Sequence, residues 1–195
     1  NLKIKTISNL RDNDIKNGGQ GAPIGSYYHK FLIQKFKEKV VIVNLGGIAN
    51  FSTIVSKTLL SSDIGPANCL TDDLSNYFFK QKFDKDGNYA RKGKIYNKLI
   101  NKFKKDKFFN KNFPKSLDRN YFRNYFQMLI KLNKYDALMT ANYMTYIGFK
   151  ELLNNKKFKF EKILLTGGGR KNKLLKELLV NKLNKEIDLI DKYKI

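Results

Sequence analysis

Three short apolar runs in this chain of 195 residues stop abruptly in glycine: Val40-Val-Ile-Val-Asn-Leu-Gly-Gly-Ile-Ala-Asn50, Asp63-Ile-Gly-Pro-Ala-Asn68 and Leu164-Leu-Thr-Gly-Gly-Gly169. Each reads as a buried strand that ends in a turn. Without a Cβ, Gly46, Gly47, Gly65 and the triplet Gly167, Gly168, Gly169 let the backbone come close to a ligand and leave its N–H groups open to an anion. One such turn is ordinary strand punctuation; three in one short chain point to a phosphate or nucleotide site. A fourth cluster, Arg11-Asp-Asn-Asp14 before Gly18-Gly-Gln-Gly-Ala-Pro23, sets a carboxylate beside another glycine turn. Asp14 there reads either as a side chain presented into a cleft or as a turn residue that binds its own backbone.

The elements that would carry these turns follow from apolar periodicity. Ile4–Ser8 alternates and reads as a short strand, Asn9–Gln20 as a polar turn, and His29–Lys37 as a helix with Phe31, Leu32, Ile33 and Phe36 on one stripe. Val40–Leu45, Phe51–Val55 and Leu59–Ile64 read as a three-strand meander. Helices are expected over Asn68–Phe79 (Asn68 as N-cap), Lys94–Phe103, Arg119–Leu132, Asp136–Leu153 and Lys171–Leu183. Strands are expected at Lys162–Thr166 and Glu186–Ile190. Meander, helices, then strand, glycine turn, helix and strand is the order of a ribonuclease-H-like α/β domain, a mixed sheet flanked by helices as in the actin, Hsp70 and sugar-kinase superfamily. No internal repeat and no low-complexity linker interrupts it.

Composition narrows the classes. Hydrophobic residues make up 42% of the chain, with 15 Phe and 11 Tyr, enough for a sizeable core. No apolar run approaches the roughly 20 residues of a membrane span, and no signal-peptide pattern opens the chain. One cysteine (Cys69) and one histidine (His29) leave neither a disulfide framework nor a His/Cys metal cluster, and fit the cytoplasm. The formal charge of +22 invites a nucleic-acid reading. However, only five of the 39 basic residues are the arginines that base readers favour, and the lysines are spread over the chain. Together with the abundance of Asn, Ile, Phe and Tyr, this reads as A/T-biased codon usage and a solvated surface rather than a specific nucleic-acid interface. Tyr121, Phe122, Tyr125 and Phe126 read as packing rather than a base-stacking platform, and His29 as a packed or capping residue. The chain opens on Asn1 and stops just past Ile187–Ile190, and both ends read as cut.

These segments, in this order, resemble the anhydro-N-acetylmuramic acid kinases of bacterial cell-wall recycling. The resemblance rests on Arg11-Asp-Asn-Asp14, Gly18-Gly-Gln-Gly-Ala-Pro23 with His29, Asn44-Leu-Gly-Gly-Ile-Ala-Asn50, and Asp63-Ile-Gly-Pro-Ala-Asn68 with Asp72. It continues through Asp84-Lys-Asp86, Ala90, Gly93, Pro114-Lys-Ser116, Arg119, Phe122, Asp136, Thr140, Thr145, Gly167-Gly-Gly169 and Asn172. Departures are Asn9-Leu10, Ile64, Ala67, Leu117-Asp118, Asn120 and Tyr143.

The resemblance implies an ATP- and Mg²⁺-dependent enzyme that opens the 1,6-anhydro bridge of an amino sugar with water and phosphorylates O6. It places the general base on Asp14 and sugar contacts on Arg11, Gly19, Gln20, Gly21, Ala22 and Pro23. Nucleotide contacts fall on Asn44, Gly46, Gly47, Asn50, Gly65, Asn68, Gly167, Gly168, Gly169 and Asn172, with Mg²⁺ held through water at Asp63. Lys115 and Ser116 are expected along the cleft. Residues 1–39 are expected to be a remnant of the inter-lobe, substrate-binding region, and 40–195 a C-terminal nucleotide-binding lobe incomplete at its end. The implied protein is a cytoplasmic homodimer without specific nucleic-acid or membrane partners. This stretch is expected to lack turnover by itself and to be marginally soluble. The alternatives are another kinase or ATPase of the same superfamily and a basic, non-enzymatic binding module.

Overall fold

The computed structural model describes residues 3–193. A five-residue helix α1 (Asp12–Lys16) and helix α2 (Ser26–Ile33) precede a meander of β1 (Val40–Leu45), β2 (Ile48–Val55) and β3 (Thr58–Pro66). Helices α3 (Asn68–Phe79), α4 (Asn97–Lys104), α5 (Arg123–Leu129) and α6 (Lys134–Asn154) follow. Strand β4 (Lys162–Thr166), helix α7 (Lys173–Leu183) and strand β5 (Glu186–Leu189) complete the fold. The strands form one sheet in the order β3-β2-β1-β4-β5, with β1, β2 and β3 antiparallel and β1, β4 and β5 parallel. This is the ribonuclease-H-like topology that the order of elements predicts. Among the described residues no helix is long and apolar enough to cross a membrane.

Strand β1 lies at the centre because both its faces are apolar: Val40, Val41, Ile42, Val43 and Leu45 are all buried. Val41, Val43 and Leu45 meet the large core with α3 through α7, while Val40 and Ile42 meet Leu32 and Ile33 of α2 on the opposite face. Helix α2 therefore shares a core with the strands that follow it. The 21-residue helix α6 runs across the large core, with Ala137, Leu138, Ala141, Met144, Ile147 and Phe149 buried along it.

Several local expectations change. Ile4–Ser8 forms no strand, because no neighbouring strand satisfies its backbone, and Ile4 and Ile7 are exposed. The polar stretch after it contains α1. Arg119–Leu132 opens as a 3₁₀ turn over Arg119–Phe122 before α5 begins. The cap position of α3 belongs to Ala67, and the Asn68 side chain instead donates to the carbonyl of Leu45 at 3.1 Å. Tyr121, Phe122, Tyr125 and Phe126 pack as expected: Phe122 is fully buried, and the Tyr121 and Tyr125 hydroxyls donate to the Asp106 carboxylate. The early chain leaves Ile4, Ile7, Leu10, Tyr27, Tyr28 and Phe31 exposed, an unusual density of large apolar side chains.

Helix α6 and β3 approach closely at Gly148, where a Cβ would lie 2.5 Å from the carbonyl oxygen of Ile64. Gly148→Ala gains about 1 kcal/mol of helix propensity, while forcing helix and strand apart costs about 1–3 kcal/mol. The expected outcome is a lower urea midpoint with unchanged secondary structure. A variant as stable as the parent would show that the two backbones do not pack this closely.

Candidate functional site

In open α/β sheets ligands gather beyond the carboxyl ends of the parallel strands. Here those ends belong to β1 and β4, which run side by side in register from Val40↔Lys162 to Asn44↔Thr166. The Gly46-Gly47 turn and the Gly167–Gly169 turn therefore emerge next to each other. Gly167 has φ 77°, and a Cβ there would sit 2.5 Å from Asn44 Oδ1 and 2.7 Å from the carbonyl of Leu45, so only glycine fits. The carbonyls of Gly46 and Gly47 accept from the backbone N–H groups of Ala67, Asn68 and Cys69 at 2.9–3.0 Å, which locks the first turn onto the start of α3.

The strand register also lines up four polar side chains. Thr166 pairs with Asn44, Asn44 with Asn50, and Asn50 with Asp63, a row across β4, β1, β2 and β3 on the face that carries α2. A bulge at Ala49/Asn50 sets the last of these pairings. Asn44, Asn50 and Asp63 are thus brought together by the sheet itself.

Asn44 and Thr166 of this row line a cleft of about 430 Å³ with His29, Gly167 and Arg170. Two other clefts, which share no lining residue, hold the remaining clusters. A cleft of about 510 Å³ is lined by Asn68, Asp72, Phe83, Gly168, Gly169 and Asn172, among others. Asn172 caps α7 there, accepting from Leu175 N–H and donating to Asn142 Oδ1, both at 3.1 Å. Asp84 on its wall accepts from the N–H groups of Tyr89 and Ala90 at 2.9 Å each. Burial lifts the Asp72 carboxyl to about 6, and the neighbouring Asp73 adds to the shift.

The second cleft, about 620 Å³, gathers the whole early cluster: Arg11, Asp14, Gly18–Pro23 and Lys30 against Leu59–Ser61 of β3 and Pro114. Asp14 Oδ2 accepts from Gly21 N–H at 2.7 Å rather than from Arg11. That bond folds the Gly19–Gly21 loop over the carboxylate so closely that a Cβ on Gly19 would lie 2.1 Å from the same oxygen. His29 is packed below, its Nδ1 2.9 Å from Ser52 Oγ and its pKa lowered by burial.

The loop Pro114–Leu117 behaves differently from expectation. Lys115 turns away from the cleft into the core, where its Nζ donates to the Phe108 carbonyl at 3.0 Å and sits 4.2 and 4.6 Å from the ring centres of Phe108 and Phe113. Burial lowers its ammonium to about 8. The backbone of this loop is strapped to β3. Ser62 Oγ donates to the Lys115 carbonyl and accepts from the Lys115 N–H, both at 2.8 Å. Asp63 N–H donates to the Lys115 carbonyl at 2.9 Å, and Asp63 Oδ2 accepts from Leu117 N–H at 2.7 Å. Ser116 Oγ reaches Gln20 Oε1 at 3.3 Å, so the strap touches the Gln20 wall of the second cleft. Ser62 and this use of Asp63 are not visible in the sequence, since both depend on a loop more than 50 residues away. Gly65 lies in β3, opposite Ala49, and lines neither cleft.

Fold and site together define a ribonuclease-H-like α/β domain with paired glycine turns at the ends of its parallel strands. Residues 1–193 match the family model described as "Anhydro-N-acetylmuramic acid kinase", and the chain belongs to that family. Proteins of that name from Pelagibacter ubique (strain HTCC1062) and Legionella pneumophila (strain Paris) are each 35% identical to it, over 100% and 92% of this chain and 54% and 50% of their own lengths. The homologue from Zymomonas mobilis is 30% identical over 98% of this chain and 52% of its own. The chain thus spans about half the length of the curated relatives it matches. Among solved structures, the activator of the 2-hydroxyisocaproyl-CoA dehydratase from Clostridium difficile, with bound ADPNP, aligns over 79% of this chain and 55% of its own at TM-score 0.46 and 12% identity.

Burial raises the Asp63 carboxyl from 3.8 to about 6. The folded protein therefore holds that proton more tightly than the unfolded chain. The group's stabilising contribution is full below pH 4 and is lost as pH rises through 6, a change of about 3 kcal/mol. Asp63→Asn keeps an oxygen for Leu117 N–H and cannot ionise. Its stability relative to the parent should climb by about 2–3 kcal/mol between pH 4 and pH 7 in denaturant titrations. A difference that stays flat with pH would refute the buried-carboxyl account.

Proposed function

We propose that the protein is an ATP-dependent kinase that opens 1,6-anhydro-N-acetylmuramic acid with water and phosphorylates its O6, giving N-acetylmuramic acid 6-phosphate. The observation that carries this reading is Asp14: a carboxylate with one oxygen fixed by Gly21 N–H, at the wall of a cleft built from the Gly18–Pro23 loop. Water attacking C1 must lose a proton as the C1–O6 bond breaks, and a carboxylate within hydrogen-bond reach accepts it. The fixed Oδ2 orients the group, leaving Oδ1 for the water. O6, released from the bridge, takes the γ-phosphoryl group of ATP, and ADP leaves. Arg11 and the backbone of Gly19 to Pro23 supply donors and shape on the sugar side.

The other cleft and the glycine turns suit the nucleotide. The open N–H groups of the Gly46-Gly47 turn face phosphate oxygens, while Asn68, Gly168, Gly169 and Asn172 take the adenosine end. The row from Asp63 through Asn50 and Asn44 to Thr166 crosses the sheet from β3 to β4. Its donors are all hard oxygens or amides, a set that fits Mg²⁺, which takes few carboxylates and keeps several waters. Asp63 would hold the ion through water, with Asn50 beside it. When bound, the ion neutralises charge on the phosphate oxygens during transfer. Use of ATP makes the cytoplasm the compartment, and the family resemblance makes a homodimer the assembly.

The test is to incubate the full-length protein with Mg-ATP and the anhydro sugar in ¹⁸O-water and weigh the product. A sugar carrying one phosphate and one heavy oxygen is expected. Asp14→Asn should lower kcat by about 10²–10⁴-fold with ATP binding unchanged. ATP consumption without a sugar phosphate would point to another acceptor, and an active Asp14→Asn would remove the base from this residue.

A further inference from the structure

The cleft assigned to the adenosine end carries charges of both signs. Three carboxylates, Asp72, Asp84 and Asp86, line it together with Lys85 and Lys171. Two of the three are already committed. Asp84 gives its two oxygens to the Tyr89 and Ala90 N–H groups, and Asp86 pairs with Lys173 at 3.3 Å. Asp72 differs: among the described residues it makes no hydrogen bond and no ion pair. Arg119, the cation near enough to influence it, is paired with Asp73 instead. A carboxylate held half out of water without a partner is costly unless something else supplies donors.

On the reading above the polyphosphate lies at the Gly46-Gly47 turn, which leaves the nucleoside end for this cleft. The part of a nucleotide that suits an unpaired, half-buried carboxylate is the neutral end rich in donors. The vicinal 2′- and 3′-hydroxyls of ribose present two O–H groups at a spacing that one carboxylate accepts together. Phe83 on the same wall is 57% exposed, unusual for phenylalanine, and offers a ring face to the base. The cleft volume of about 510 Å³ is ample for a nucleoside.

We propose that Asp72 is a specificity-determining residue whose carboxylate accepts hydrogen bonds from the ribose hydroxyls of the bound nucleotide, so that the site selects ribonucleotides over deoxyribonucleotides. The inference rests on the ATP-dependent reading above and adds to it the group that sets sugar preference.

Affinities of the full-length protein for ATP, 2′-deoxy-ATP and 3′-deoxy-ATP, measured by displacement of a fluorescent nucleotide, test it. The parent should bind ATP about tenfold or more tightly than either deoxy analogue, the scale of one hydrogen bond to a charged group. Asp72→Ala should weaken ATP to the level of the analogues while leaving the analogues unchanged. Asp72→Asn, which keeps the shape, should fall between. Equal weakening of all three nucleotides by both variants would mark Asp72 as merely structural and overturn the proposal. A parent that binds ATP without preferring ribose would overturn it while leaving the kinase reading intact. A parent that binds no ATP would overturn both.

Discussion

The parallel ladder between β1 and β4 is the constraint on which the site depends. Its register, ending at Asn44↔Thr166, fixes how close the two glycine turns come, and Gly167 is pressed against Asn44 and the Leu45 carbonyl as a result. A side chain at 167 would push β4 along β1 or away from it. Either movement would carry Gly168, Gly169 and Asn172 with it, since the same turn leads into α7. The burial of β1 on both faces makes this register expensive to change: a slip of one residue would turn Val41, Val43 and Leu45 out of the large core. Hydrophobic pattern thus sets the geometry of a polar site that contains none of those residues.

The other edge of the sheet shows a second way of holding a site. Strand β3 would leave unpaired backbone groups at its outer side, and the Pro114–Leu117 strap covers part of that edge. What keeps the strap there is unusual. A lysine lies in a cage of phenylalanines, a carboxylate accepts from a loop N–H, and a serine both donates to and accepts from the Lys115 backbone. Burial disfavours the charge on Lys115, and the ring faces and the Phe108 carbonyl partly compensate for it. The consequence reaches the second cleft, because Pro114 and Ser116 stand against the same wall as Gln20.

The strands and their order were legible because buried parallel strands read as continuous apolar runs and glycine marks their ends. The grouping of Arg11, Asp14 and Gly18–Pro23 in one cleft was legible for a different reason: they are neighbours in the chain. What could not be read were arrangements made by distant partners. Ile4–Ser8 alternates like a strand, but pairing needs a neighbour, and alternation carries no information about one. Lys115 sits in a string that suggests a cleft residue, yet its direction is decided by Phe108 and Phe113 around it. Asn68 looked like a cap from its position before an apolar stretch; the carbonyl of Leu45, 23 residues earlier in the chain, takes its side chain instead.

Net charge was the least informative quantity, and the reason is geometric. A formal +22 spread over surface lysines creates a field that salt screens within about 8–10 Å. Inside a cleft the local groups outweigh it. One cleft wall sets Asp72, Asp84 and Asp86 beside Lys85 and Lys171, so the surface excess of positive charge does not decide its character. What a ligand meets there depends on which of these groups is left without a partner, and Asp84 and Asp86 are already committed to the Tyr89 and Ala90 N–H groups and to Lys173.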